Sequence, residues 1–136
     1  MNFTNVNFLA ILVAAILNMV LGFAWYGPLF SKPWMGLQGW TKERMEQDST
    51  NPIIYLIPFA GGLVTAYIVA LLISTTQMGT LTGGIGIGLL AGLGFIVPAF
   101  ASNYIFSSRP FKLYLIDAGY YLVSLLITGA LLGLWR

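Results

Sequence analysis

Four runs of apolar residues separated by three polar breaks take up most of the chain: Val6 to about Tyr26, Ile53 to about Ser74, Leu81 to about Phe106, and Leu113 to Trp135. At a rise of about 1.5 Å per residue each is long enough to cross about 30 Å of hydrocarbon as an α-helix. The pattern predicts one all-α domain over residues 1–136, an integral membrane four-helix bundle with both termini on the same side. No basic segment precedes the first run and no small-residue cleavage site follows it, so it reads as a retained span and not a signal peptide. Asn51 and Pro52 suit the start of the second helix. Only Thr75 to Thr80 separates the second and third, which forces a tight antiparallel hairpin. The sizeable loop is residues 28–52. Its apolar half, with Trp34, Met35, Leu37 and Trp40, reads as an interfacial stretch; its polar half reads as a helix turn capped by Thr41 with Glu43 near the positive end of the dipole.

Composition turns this pattern into an exclusion. Of 136 residues 58% are hydrophobic and 7% charged, against about 25% charged for a soluble domain. So few ionisable groups cannot cover a particle in water, whereas a bilayer accepts an apolar exterior. The absence of Cys and His removes disulfides, thiolate chemistry, the usual zinc ligands and an imidazole base. No cofactor and no metal is expected. A net charge of +2 spread over the connections suggests no nucleic-acid partner. The charges report orientation instead. Lys32, Lys42, Arg44, Arg109 and Lys112 fall on one side of the bundle and only Arg136 on the other, so the positive-inside rule places both termini outside.

Helices in lipid associate through small residues that let backbones approach. Such residues recur at four-residue spacing in every span: Ala10, Ala14, Asn18 and Gly22; Gly62, Ala66, Ala70 and Ser74; Gly84, Gly88 and Gly92; Gly129 and Gly133. A bundle this small leaves much of each helix facing outward, which suggests a homo-oligomer in the lipid bilayer, a dimer first. Pro58 and Pro98 lie inside spans, where each frees a carbonyl and predicts a kink, either a packing feature or a hinge. Leu21-Gly-Phe in the first span and Leu93-Gly-Phe in the third form a faint internal echo.

Asp117 is the one ionisable side chain inside a span. A carboxylate at membrane depth is costly enough to be a functional candidate by default. Tyr121, Ser124 and Thr128 follow it at helical spacing, so the four polar groups share one stripe that should face the bundle interior. Asn103 lies at a similar depth in the third span and Asn18 near the middle of the first; Tyr26 and Tyr120 are further candidates. Arg109 is a possible ion-pair partner for Asp117. Two readings remain open: a transporter or channel for a small solute or ion, with Asp117, Asn103, Asn18, Tyr121, Ser124 and Thr128 along the path, or a non-catalytic accessory subunit that binds lipid or another membrane protein. An intramembrane enzyme is the thinnest reading, since one carboxylate without His, Cys or a second buried acid offers little acid–base chemistry.

The segment Leu21-Gly-Phe-Ala-Trp-Tyr-Gly-Pro-Leu-Phe-Ser-Lys-Pro-Trp34, with Leu115-Ile-Asp-Ala-Gly-Tyr-Tyr-Leu-Val-Ser124 and the closing Gly133-Leu-Trp135, resembles the bacterial membrane family catalogued as domain of unknown function 1761. The resemblance implies a small four-span membrane protein, and the expected location is the bacterial plasma membrane. It supplies no activity, so no residue role is carried from it.

Overall fold

The structure is a computed structural model that describes residues 2–39, 43, 47 and 50–135. Among the described residues it is all helix, and four helices are long and apolar enough to cross a membrane: Phe8–Leu29, Ile53–Thr76, Leu81–Phe106 and Phe111–Leu134. The chain is a multi-pass membrane protein. Its elements are α1 (Phe8–Ala24), a π-turn (Trp25–Leu29), α2 (Ser31–Gln38), α3 (Ile53–Thr76), α4 (Leu81–Ala91), a second π-turn (Gly92–Ile96), α5 (Val97–Phe106) and α6 (Phe111–Leu134). The turn expected at Thr41 lies outside the described residues.

Short polar side chains open three of the spans. Asn7 accepts from the Ala10 N–H at 3.0 Å, Asn51 from Ile53 at 3.1 Å and Thr80 from Gly83 at 2.9 Å, each satisfying a donor that the first turn leaves over. Two spans close on a left-handed residue, Gln77 (φ 57°) and Ser108 (φ 56°). At each, the next N–H reaches back five residues, Met78 to Ile73 O at 3.1 Å and Arg109 to Tyr104 O at 2.9 Å. This is the Schellman arrangement, which satisfies carbonyls the last turn leaves bare.

The first span does not stop at Tyr26. The Phe30 N–H donates to Trp25 O at 3.0 Å, five residues back, and the wider turn accommodates Pro28, which has no N–H to give. Ahead of Pro98 the same device appears, with the Val97 N–H donating to Gly92 O. The irregularity expected at Pro98 therefore takes the form of a π-turn. The echo between the first and third spans corresponds to a π-turn at the end of one and in the middle of the other.

Small residues decide where the helices touch. A Cβ added at Gly84 would overlap the Gly129 carbonyl oxygen, one at Gly88 that of Leu125, and one at Gly133 that of Thr80. The backbones of α4 and α6 thus meet directly. Across the bundle Ala10, Ala14 and Ala66 are fully buried between α1 and α3, and a Cβ on Gly62 would stand 3.7 Å from Ala15. Gly92 faces the side chain of Leu122. These small residues make their close contacts inside one chain.

These contacts lie at the end of the bundle that carries the termini, where Asn5 and Trp135 line one small recess of 310 Å³. Ile11, Val69, Ile73, Ile87, Leu125 and Leu132 complete that core. At the opposite end the inward positions are aromatic, among them Tyr26, Phe100, Tyr104 and Tyr120, and rings hold backbones apart where glycine lets them meet. The bundle is closed at one end and hollow at the other.

Candidate functional site

The hollow end encloses a cavity of about 640 Å³, walled by the end of the first span, α2, the start of α3, α5 and the first half of α6. Eight of its fifteen lining residues are aromatic, and Asp117 is the one charged residue among them. The four elements that cross the membrane all contribute.

Asp117 is buried, with 8% of its surface exposed. The Tyr26 hydroxyl donates to its Oδ1 at 2.7 Å, and the Tyr104 hydroxyl donates to its Oδ2. Two phenols from two other spans thus hold one carboxylate, a charge-assisted arrangement stronger than neutral hydrogen bonds. Each carboxylate oxygen retains a further lone pair. Trp25 braces the same turn of α6 by donating from Nε1 to Ile116 O at 3.0 Å. Gly119 makes room for this indole, since a Cβ there would lie 3.3 Å from Trp25 Cζ2.

Arg109 does not form the direct ion pair anticipated with Asp117. Its guanidinium lies over the Tyr104 ring, with Cζ 3.7 Å from the ring centroid, and donates to Asn103 Oδ1 at 2.5 Å and Ser107 Oγ at 3.0 Å. The arginine reaches the carboxylate only through Tyr104. Asn103 goes with it and is exposed on the outer face. Neighbouring helical positions point about 100° apart, and at this level Tyr104, buried at 7% exposure, holds the inward place.

The stripe on α6 divides in two. Tyr121 shares the cavity wall with Asp117 and is 43% exposed. Ser124 and Thr128 lie deeper and are buried. Thr128 Oγ1 accepts from Asn18 Nδ2 at 2.8 Å, and the Tyr120 hydroxyl donates to the Asn18 backbone carbonyl at 2.9 Å. Asn18 Oδ1 is buried and makes no hydrogen bond. These groups form a polar link between α1 and α6 at the floor of the cavity, where the packed core begins.

That link makes a specific prediction. Thr128→Val keeps the shape but leaves the Asn18 amide donor unpaired, which should lower stability by about 1–3 kcal/mol. Adding Asn18→Leu removes the stranded amide and should restore much of the loss. Thermal melts of the three purified proteins in detergent check this, and a double variant no more stable than Thr128→Val would refute it.

The sequence singles out Asp117, Tyr26 and Tyr120, but not Tyr104 or Phe100. These two lie four residues apart, hence on one helical face, with ring centroids 5.9 Å apart and planes 11° from parallel. That spacing was the available signal. A family model described as "Protein of unknown function (DUF1761)" matches residues 9–133. No curated protein and no solved structure matches the chain.

Proposed function

The chain belongs to the DUF1761 family, and from that premise we propose that it is a membrane carrier that takes a small solute into the aromatic cavity beside Asp117. The observation that carries the reading is the position of the single intramembrane carboxylate on the wall of a 640 Å³ cavity. Cavities of about 300–1,000 Å³ with apolar walls and a few convergent polar groups are the usual form of a small-ligand site. A carboxylate serving only to tie helices together would need no such space around it.

A carrier fits better than a channel. Below the cavity, Asn18 and Thr128 bond across the bundle, and the Ala10, Ala14, Ala66 and Ala70 packing shuts the path toward the termini. A site at one level of the bundle, with packed helices between it and the termini, fits one state of an alternating cycle. In this reading the hollow end faces the cytoplasm and both termini lie outside the plasma membrane, an orientation supported by the excess of Lys and Arg in the loops at that end. The cavity is lined by one chain, so the reading holds for a monomer or a dimer alike.

The competing accessory-subunit reading draws on the same residue, because Asp117 accepts from Tyr26 and Tyr104 and so joins three spans. Proteoliposomes separate the two. Purified protein should accelerate entry of at least one class of radiolabelled small solute, tested as a cationic, neutral and anionic panel against protein-free vesicles. A folded, reconstituted protein that moves none of the panel and gains no thermal stability from any member would overturn the carrier reading.

A further inference from the structure

We infer that the solute of this cavity is a monovalent organic cation, an ammonium group on an apolar body, with the charge held at Asp117 among aromatic rings. The inference rests on the carrier reading and names its substrate class.

Charge supplies the first argument. The cavity wall contains one carboxylate and, among the described residues, no Lys or Arg. Arg109 stands behind Tyr104 and is committed to Asn103 and Ser107. An anion entering the cavity would meet Asp117 at close range in a medium where like charges repel strongly. A neutral solute would leave the carboxylate without a counter-charge.

The rings supply the second. Aromatic faces carry negative potential and attract cations, and quaternary ammonium groups are recognised by cages of such rings. The Tyr26 and Tyr104 hydroxyls are tied to Asp117, and that of Tyr120 to the Asn18 carbonyl. With those hydroxyls engaged, these residues offer a solute mainly ring surface. Trp34, Tyr121 and Phe100 extend the same wall. The protein already uses this chemistry at the cavity edge, where the Arg109 guanidinium rests 3.7 Å from the centre of Tyr104.

The remaining cations fit poorly. A hard metal ion takes about six or more oxygen ligands, whereas no group of three or more metal-binding acidic, His or Cys side chains occurs among the described residues. Phe23, Ile54 and Pro58 on the wall suit a hydrocarbon body, not a hydration shell. Charge at one pole and apolar surface at the other describe an ammonium amphiphile.

Three probes of nearly the same shape test the assignment on the full chain in detergent micelles, by isothermal titration: benzyltrimethylammonium, its neutral isostere neopentylbenzene, and the anion phenylacetate. Benzyltrimethylammonium should bind about thirtyfold more tightly than the isostere, the discrimination expected when a desolvated charge meets its partner, and phenylacetate should not bind. In Asp117→Asn, with helix content checked by circular dichroism, the preference for the cation should disappear. Equal binding of cation and isostere to the wild-type protein, or tighter binding of phenylacetate, would overturn the cation assignment and leave the cavity as a solute site. Failure of all three probes to bind would overturn the assignment; the carrier reading would then stand or fall on the wider solute panel.

Discussion

Asp117→Asn is expected to cut solute movement through the reconstituted protein by about thirtyfold or more while leaving a folded helical bundle. The substitution keeps the shape of the side chain and removes its charge. Tyr26 can still donate to the amide oxygen, but the amide NH₂ can only donate, so the Tyr104 hydroxyl must turn its proton away and accept, and both charge-assisted bonds of the native site become neutral ones. The stability cost should be about 1–3 kcal/mol, the difference between two hydrogen bonds to a charged group and two neutral ones. The functional cost should be larger. Removing one partner from a desolvated charge pair typically costs about 2–5 kcal/mol, so flux of a charged solute at low concentration should fall by about thirtyfold or more. Uptake and thermal melting measured on the same preparation separate these effects. A variant that melts lower yet transports at the wild-type rate would remove Asp117 from the path and return it to the role of a three-helix tie.

The largest effect on stability is expected at Gly84. A Cβ there would overlap the carbonyl oxygen of Gly129, and the reverse is equally true, since a Cβ on Gly129 would overlap the carbonyl of Gly84. Backbone atoms held in helices cannot move aside as a flexible side chain can. Gly84→Leu must therefore separate α4 from α6 along the row that includes Gly88 and Gly133. Overpacking against side chains costs about 1–3 kcal/mol, and against backbone the loss should reach about 3 kcal/mol or more, enough to deplete the folded protein in the membrane. Gly86 is the control. Two residues along the same helix, it meets nothing within 4 Å, and Gly86→Leu should be accumulated and melt like the wild type. Equal yields of the two variants would show that the α4–α6 contact is not what holds this half of the bundle together.

The two sites share a physical origin. The closely packed end exists because glycine and alanine recur every four residues on facing helices, and the hollow end exists because the corresponding positions carry rings. Tyr120 shows how close the two regimes lie: its hydroxyl bonds Asn18, at the start of the packed region, while its ring stands over Gly22, where an added Cβ would come within 3.3 Å of the hydroxyl oxygen. Glycine on α1 at this level makes space for a ring from α6, and the cavity begins where such pairing ends.

Much of this protein is legible in its sequence, for a reason rooted in the solvent. Transfer of a side chain between water and hydrocarbon is nearly a property of that side chain alone, so runs of apolar residues identify four spans, their approximate limits and the membrane class without reference to any neighbour. The same logic marks Asp117, because its position inside a span is costly whatever surrounds it. The helix start at Asn51 and Pro52 is equally local. The exceptions are instructive: the first span continues through Gly27 and Pro28 because a π-turn absorbs the missing donor, a backbone adjustment that the spacing of apolar residues does not reveal.

Pairing is a different kind of quantity. Every span carries small residues at helical spacing, so the sequence permits many partners for each row, including a second copy of the chain. Only packing of all four helices together selects Gly84 and Gly88 against the α6 backbone and Ala14 against α3. The partners of Asp117 are decided in the same way. Asn103 and Tyr104 are adjacent in sequence, and the rotation of α5 that brings Tyr104 onto the carboxylate carries Asn103 out to Arg109. The number of spans and the buried charge follow from the chain residue by residue; which helices touch, which phenols hold that charge, and the cavity beside it depend on the simultaneous fit of surfaces far apart in sequence.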